Sequence, residues 1–246
     1  MAVSPVTARA HAFVADLSTP VLDSADHHHL SRVLRLPPGA LLTVGDGHGR
    51  WRPCELGSGP DLTIAGDVVA DPRPTPAITI CFALVKGERP ELVVQKLTEL
   101  GVDRIVPFAA ARSVVRWDAA KAARQVERLN QIARQAAMQC RRTWLPEVAP
   151  LVDFAAVAAL DGAARTDLDG DPPSLDLPVL LVGPEGGWDD RERAAGLPTV
   201  RLGQHVLRAE TAAITAGAIL TALRAHLVAG DNQRSRRGVQ DRPHTS

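Results

Sequence analysis

The stretch LVGPEGGWDDRE, residues 181–192, decides the fold of this chain. It starts within an apolar segment, PVLLVG (178–183), that predicts a strand, and it continues through Gly-Pro-Glu-Gly-Gly to a helix expected to begin at Asp189 or Asp190. Three glycines around one acidic residue let the backbone approach a ligand closely, where side chains would prevent contact. In open α/β sheets, ligands bind beyond the carboxyl ends of the strands. The stretch therefore predicts an α/β sheet with a ligand site, and the alternative is an ordinary turn between strand and helix.

A second glycine turn lies further along, in RLGQHVLRAETAA (201–213). It follows a predicted short strand, TVRLG (199–203), and precedes an Ala-rich helix predicted over 209–228. Arg208 and Glu210 flank the start of that helix, where a carboxylate suits the positive end of the helix dipole. The alternative is a capped helix with an arginine on its surface. Two such turns after two strands favour one shared pocket.

Strands and helices also alternate earlier in the chain, which is typical of a parallel α/β sheet. AITICFALV (77–85) predicts a strand buried on both faces, ERPELVVQKLTEL (88–100) a helix, and DRIVPF (103–108) a second strand. A long Arg- and Gln-rich helix is predicted from Asp118 to about Gln139, and Asp118 is expected to cap it. Residues 161–178, rich in Asp, Gly and Pro, predict a surface loop.

The first 70 residues predict a small β-rich unit. LLTVGDGHGRWRPCEL (41–56) predicts two strands joined by a glycine-rich turn, and DLTIAGDVVA (61–70) predicts a third. The GDGHG segment imitates a dinucleotide-binding fingerprint, but Pro53 and alternating residues follow it in place of a helix, so a hairpin turn is favoured. Three prolines in DPRPTPA (71–77) indicate a linker after this unit.

The pattern predicts two domains, over residues 1–72 and 73–230, and a disordered tail over 231–246 that has almost nothing to bury. The formal net charge is zero, which by itself argues against a nucleic-acid partner. The charges are unevenly distributed along the chain, however, because residues 73–150 carry 13 Lys and Arg against 7 Asp and Glu. A local basic field can bind phosphates in a neutral chain, and the alternative is a solvated helix face.

Composition bounds the class of protein and its compartment. No apolar run approaches the roughly 18 residues that a membrane span needs, and the N-terminus lacks a secretory signal pattern. Cys54, Cys81 and Cys140 are widely spaced without a CxxC pair, which disfavours disulfides and zinc. Adjacent residues cannot all face one ion, so the run 27–29 of three histidines does not predict a metal site. A cytoplasmic protein without a metal is predicted.

Five segments stand out in order along the chain: HHLSRVLRLPPGA (28–40), KGERPELVVQKLTELGV (86–102), ARSVV (111–115), GPEGGWDDRE (183–192) and LGQHVLRAETAA (202–213). Together they resemble the RsmE family, bacterial 16S rRNA uridine-N3 methyltransferases of the SPOUT class. The pairing of GPEGG with a later VLR-x-ETA is the most specific part. The resemblance implies a PUA-like β-barrel that helps to hold RNA, then an α/β domain with a deep trefoil knot, and a homodimer.

The resemblance also implies S-adenosylmethionine as cofactor and 16S rRNA of the small ribosomal subunit as substrate. The implied cofactor residues lie in the two glycine turns: Leu181, Val182, Gly183, Pro184, Glu185, Gly186, Gly187, Leu202, Gly203, Val206, Leu207 and Arg208. Among them, Gly186 is expected to need close approach and a positive φ. The implied catalytic residues are Arg208 as a cation beside the uracil carbonyls, Glu210 to orient Arg208 or accept a proton, and Glu185 as a second acid. The implied RNA contacts are Arg32, Arg35, Lys86, Arg89 and Arg112.

The chain departs from the family pattern at two places. The family usually has Glu-Gln-Ser/Cys-Gly-Arg where this chain has Met-Gln-Cys-Arg-Arg (138–142), and it usually has Thr where this chain has Ala209. The first departure removes an acid and the second a hydroxyl group. Two alternatives stay open: a non-catalytic rRNA-binding assembly factor, which needs no cofactor pocket, and a SPOUT methyltransferase acting on tRNA or 23S RNA, which the HHLSRVLRL segment disfavours.

Overall fold

The computed structural model describes residues 3–87 and 89–228, so the predicted tail over 231–246 lies outside the described residues. The chain divides into two compact units. The first contains the residues up to Pro74 together with Ala133–Leu145, and the second contains Thr75–Ile132 and the residues from Pro146 onward. Within the described ranges, no helix is long and apolar enough to cross a membrane.

The first unit is built on a five-stranded sheet. Its strands are β1 (His11–Phe13), β2 (Leu41–Gly45), β3 (Arg50–Leu56), β4 (Leu62–Ile64) and β5 (Val69–Ala70). β1 pairs in parallel with β2, whereas β2, β4 and β5 each pair with β3 in antiparallel fashion. The predicted hairpin is confirmed: Gly47 and Gly49 adopt φ values of +78° and +85° in its turn, and the Asp46 carboxylate accepts a hydrogen bond from the His48 amide. The single strand predicted over 61–70 is two short strands instead.

A helical run contributes to the core of this unit. Helix α1 (Ser24–His28) continues into a π-helical turn (His29–Val33), and the Asp23 carboxylate caps α1 by accepting from the Asp26 amide. Leu30 in the π-helical turn is 1% exposed and belongs to the apolar core of the unit. Among the described residues, no group of three or more His, Cys, Asp or Glu side chains could hold a metal ion.

The second unit is built on a parallel sheet. Its strands are β6 (Thr79–Ala83), β7 (Arg104–Ala109), β8 (Glu147–Val148), β9 (Val152–Asp153), β10 (Ala163–Asp171), β11 (Val179–Val182) and β12 (Thr199–Val200). The order is β12-β10-β11-β6-β7-β8, β9 also pairs with β7, and the neighbouring strands are parallel. The predicted α/β class with a mostly parallel sheet is confirmed.

Five helices accompany this sheet in sequence: α2 (Arg89–Leu100), α3 (Ala119–Cys140), α4 (Phe154–Ala158), α5 (Asp190–Arg193) and α6 (Ala209–Arg224). The Asp118 carboxylate caps α3 as predicted, because it accepts from the Lys121 amide at 2.8 Å. α2 and α6 pack closely at Gly217, where an added Cβ would lie 2.5 Å from Leu97 Cδ2. From Ala133 onward, α3 belongs to the first unit.

The prediction of a surface loop over 161–178 is wrong, because this segment contains β10. The strand pairs with β11 on one side and β12 on the other, and Ala163, Ala164 and Arg165 are buried in the sheet. Its second half is rich in Asp and Gly, so it lacks the apolar pattern of a buried strand. Glycine is required at Gly170, since a Cβ there would overlap the backbone of β12.

Candidate active site

The Gly-Pro-Glu-Gly-Gly turn connects β11 to α5, and the helix begins at Asp190, within the predicted range. Asp189 caps α5 by accepting from the Arg191 and Glu192 amides. Glu192 completes a capping box, because its Oε2 accepts from the Asp189 amide at 2.9 Å. This reciprocal pair fixes the point at which the chain leaves the turn and enters the helix.

Glu192 also fastens the turn to the segment after β7. Glu192 is only 4% exposed, and its Oε1 accepts a hydrogen bond from the Ala111 amide at 2.8 Å. Arg112, next in the chain, donates to the Gly186 carbonyl at 3.4 Å. A Cβ at Gly186 would lie 3.2 Å from Arg112 Cβ, so this glycine faces protein rather than a ligand.

Trp188 anchors the far end of the turn. Its ring stacks on Phe108 with centroids 6.2 Å apart, and its Nε1 donates to the Thr166 carbonyl at 2.9 Å. A Cβ at Gly183 would lie 2.9 Å from this ring, so the close approach requires glycine there. The positive φ expected at Gly186 is wrong, because the left-handed residue is its neighbour Gly187, at +70°.

A cleft of about 250 Å³ opens beside this turn, near the lower end of the range for small-molecule sites. It brings together nine of the twelve predicted cofactor residues from both glycine turns: Val182, Gly183, Pro184, Glu185, Gly187, Leu202, Gly203, Val206 and Leu207. The other three, Leu181, Gly186 and Arg208, do not line it. Two turns that are distant in the chain therefore form one pocket.

Sequence reasoning missed part of the lining. The missed residues come mainly from β10, α5 and the start of α6: Thr166, Asp167, Leu168, Trp188, Arg193, His205, Ala209 and Ala212. Asp167 lies between two cations, with its Oδ2 3.0 Å from Arg193 Nη1 and 3.4 Å from Arg165 Nη1. The two alanines that open β10, Ala163 and Ala164, were the available signal, and the polar residues from Arg165 onward concealed the strand.

The cleft combines an apolar wall with the charged side chains of Asp167, Glu185 and Arg193. Val206 is 83% exposed, an unusual state for a valine, and it lines the cleft with Leu202 and Leu207. A flat apolar ring bound there would cover this surface. Asp167 offers carboxylate oxygens that accept hydrogen bonds from hydroxyl groups. The cleft thus suits a ligand with both a ring and a polyhydroxylated part.

Arg89 forms ion pairs with both predicted acids. Its Nη1 lies 2.8 Å from Glu185 Oε1, and its Nε lies 3.6 Å from Glu210 Oε1. Glu210 sits in the first turn of α6, and its Oε2 is buried without a hydrogen-bond partner among the described residues. Arg89, predicted to contact RNA, therefore holds two carboxylates beside the cleft. Glu185 itself lines the cleft.

The predicted pairing of Glu210 with Arg208 is not found. Arg208 is the exposed residue before the first turn of α6, and its side chain makes no capping hydrogen bond. Within the described part of the chain, its guanidinium has no hydrogen-bond or ion-pair partner. Its neighbours Leu207 and Ala209 line the cleft, so the backbone of Arg208 passes beside the cleft.

Comparisons with known proteins agree with this geometry. The family model described as an RNA methyltransferase domain matches residues 71–221. Ribosomal RNA small subunit methyltransferase E of Mycobacterium bovis is 34% identical over 218 residues, covering 80% of this chain and 83% of that protein. The chain belongs to the ribosomal RNA small subunit methyltransferase E family. The predicted resemblance to the RsmE family is thereby confirmed.

Two solved structures resemble the fold over most of its length. A family member from Neisseria gonorrhoeae bound to S-adenosylmethionine has a TM-score of 0.73 and 26% identity, covering 87% of this chain and 97% of that one. A methyltransferase from Legionella pneumophila with the same bound cofactor has a TM-score of 0.75 and 29% identity, covering 86% of this chain and 96% of that one. The likeness extends beyond the matched methyltransferase domain into the first unit.

The predicted RNA contacts fall in both units. Arg32 and Arg35 lie in and just after the π-helical turn of the first unit, whereas Lys86, Arg89 and Arg112 lie in the second unit. Arg32, Arg35, Lys86 and Arg112 are exposed, as a phosphate contact requires. Arg35 adopts a φ of +53°, so its backbone is in the left-handed region that favours glycine.

Proposed function

We propose that the cleft of the second unit binds S-adenosylmethionine and that the protein methylates N3 of a uridine in 16S rRNA of the small ribosomal subunit. The observation that carries this proposal is the meeting of two glycine turns at one cleft, and Arg208 stands in the chain between two residues that line it. Family membership supports the same activity. A protein that only bound RNA would need no cofactor cleft.

The cleft residues fit the cofactor. Backbone atoms of the turn residues that line the cleft would contact it, Val206 would cover the adenine ring, and Asp167 would accept from the ribose hydroxyls. When bound, S-adenosylmethionine supplies an electrophilic methyl group on a sulfonium centre. Holding this group and the target base in line contributes on the order of 7–11 kcal/mol to catalysis.

The protein must also make N3 of uracil nucleophilic, which requires removal of its proton. Arg208 would stabilise the negative charge that then spreads over the uracil carbonyls. Glu210 is the proposed proton acceptor, because one of its carboxylate oxygens is buried and has no partner among the described residues. Arg89 would position Glu210 and Glu185 through its two ion pairs. Glu185 remains the second candidate acid.

RNA is held by the exposed cations in this proposal. Arg32, Arg35, Lys86 and Arg112 would contact phosphates, which give affinity without selecting sequence. The target uridine must leave its stack, because N3 lies on its base-pairing edge. The same proposal includes a PUA-like barrel for the first unit, a SPOUT trefoil knot in the second, a homodimer and a cytoplasmic location. Sedimentation velocity tests the dimer.

Two experiments test the function. Calorimetry should give saturable binding of S-adenosylmethionine, and a non-catalytic assembly factor would give none. Mapping of the methylated nucleotide in rRNA from a deletion strain should show loss of N3-methyluridine from 16S rRNA, restored by the gene. Loss of a methyl group from tRNA or 23S RNA instead would assign the enzyme to another substrate.

A further inference from the structure

A second cavity, of about 660 Å³, lies wholly within the first unit. Its volume falls within the range of roughly 300–1,000 Å³ that small-molecule sites occupy. Three segments form it: the start of β1, the helical run of α1 and the π-helical turn, and the last turns of α3. The lining residues are Arg9, Ala10, His11, Ala25, Asp26, His28, His29, Leu30, Val33, Leu34, Gln135, Met138, Gln139 and Arg141.

One part of the wall is apolar and open to solvent. Val33 is 58% exposed and Leu34 is 47% exposed, and both line the cavity together with Met138. Met138 packs against the core of the unit, so this apolar surface is continuous with the core. A flat aromatic ring would cover such a surface and remove it from water.

The cations at this cavity are not neutralised by its one carboxylate. Asp26 is the only acid in the lining, and it is bound in bidentate fashion by Arg134, with Nη1–Oδ1 at 3.1 Å and Nη2–Oδ2 at 2.5 Å. Arg9 and Arg141 also line the cavity. Among the described residues, the Arg141 guanidinium donates only to backbone carbonyls, those of residues 5, 6 and 9. Its positive charge is therefore available to an anion.

The backbone at Arg141 is unusual for an arginine. The residue follows the end of α3 with a φ of +63°, its amide donates to the Met138 carbonyl, and the next amide donates to the Ala137 carbonyl. This is the helix ending in which glycine is preferred, and a side chain in the left-handed region is strained. Strain of this kind is often found at functional sites. Here the residue in this conformation lines the cavity.

Amide and imidazole side chains complete the lining, and the Nε2 edge of His11 is closed off against Gly45. His11 is 2% exposed, its Nδ1 lies 2.9 Å from Thr43 Oγ1, and its Nε2 has no hydrogen-bond partner among the described residues. Burial lowers the pKa of His11 to about 4, so the imidazole is neutral near pH 7. The amides of Gln135 and Gln139 add donors and acceptors, and the exposed imidazole of His28 adds a stacking surface.

We propose that this cavity binds one nucleotide of single-stranded RNA, with the base against Val33, Leu34 and Met138 and the phosphate near Arg9 and Arg141. Proteins that read single-stranded RNA stack its unpaired bases on side chains and bond their edges. The proposal rests on the proposed function only in taking the RNA to be the rRNA substrate. It adds a second point of recognition, in the first unit, to the uridine bound for methylation.

The test uses the full chain with the cleft of the second unit saturated with S-adenosylmethionine. Binding of the four ribonucleoside 5′-monophosphates is measured by saturation-transfer difference NMR. We expect at least one to bind and Gln139→Glu to weaken it about tenfold or more, because the new carboxylate repels the phosphate. Gln131→Glu is the matched control, since Gln131 is exposed on the same helix, outside the cavity lining, and should leave affinity unchanged.

Arg141→Gly provides a second variant that should fold, because glycine accepts the positive φ. We expect it to lose nucleotide affinity and to lower the salt dependence of binding to a uridine-rich oligoribonucleotide by about one unit of slope. Absence of nucleotide binding to the wild type, or equal binding by Gln139→Glu, overturns the proposal. The proposal is also overturned if these variants change the oligomeric state without changing RNA affinity, because the cavity would then be a protein interface. Binding of S-adenosylmethionine is measured on the same samples, so failure of this cavity is separable from failure of the proposed function.

Discussion

Protonation of His11 should destabilise the protein at acid pH. The side chain is buried in the first unit, and burial together with the nearby charge of Arg141 lowers its pKa from 6.5 to about 4. Between these two values the unfolded chain binds a proton on His11 that the folded protein does not bind. The free energy of unfolding therefore falls as the pH falls through this window, and above it both states are neutral and the full stability is present.

The magnitude follows from the two pKa values. Their difference corresponds to about 3 kcal/mol when fully expressed. At about pH 4.5 the window is not fully crossed, and the expected loss relative to neutral pH is about 2 kcal/mol. Carboxylates also titrate at this pH, so the wild type has to be compared with a variant that differs only in this imidazole.

His11→Gln is that variant, because glutamine can still bond to Thr43 but does not titrate. Urea unfolding followed by circular dichroism gives the free energy of unfolding of both proteins at neutral pH and at about pH 4.5. The wild type should lose about 2 kcal/mol more than His11→Gln over this interval. His28→Gln, a change at an exposed histidine of the same unit, should behave as the wild type does. Equal pH dependence of wild type and His11→Gln would falsify the assignment of a buried neutral imidazole.

Three further predictions concern the two sites. Arg208→Ala should lower kcat about a hundredfold with little change in melting temperature, because its side chain has no partner among the described residues; a rise in KM alone would contradict a role in the transition state. Gly187→Val should abolish S-adenosylmethionine binding measured by calorimetry. The control Gly196→Val, at nearly the same φ but outside the cleft, should lose similar stability and keep cofactor binding; equal losses of binding in both variants would show that backbone strain alone is responsible. Arg35→Gly should keep its left-handed backbone, weaken rRNA binding and flatten its salt dependence by about one unit, and an unchanged salt slope would remove Arg35 from the RNA contacts.

The elements with strong local signals were predictable from the sequence. A continuous apolar run predicts β6, and glycines around Glu185 predict the turn after β11. The start of α3 is predicted by the Asp118 carboxylate that precedes a helical repeat of polar and apolar residues. These signals are local because a cap or a turn depends on residues a few positions apart. The two glycine turns, and most of the residues assigned to them, could be found for the same reason.

The tertiary structure decided what depends on contacts between distant segments. β10 is a strand because β11 and β12 pair with both of its edges, although half of its residues are polar. Arg89 pairs with Glu210 across 121 positions of the chain, so the nearer Arg208 is left free. No local pattern specifies such a pairing, since it depends on where α2 and α6 pack. The cavity in the first unit has the same origin: it exists because the end of α3 returns to β1, and the physical reason is burial of apolar surface from segments that share no sequence period.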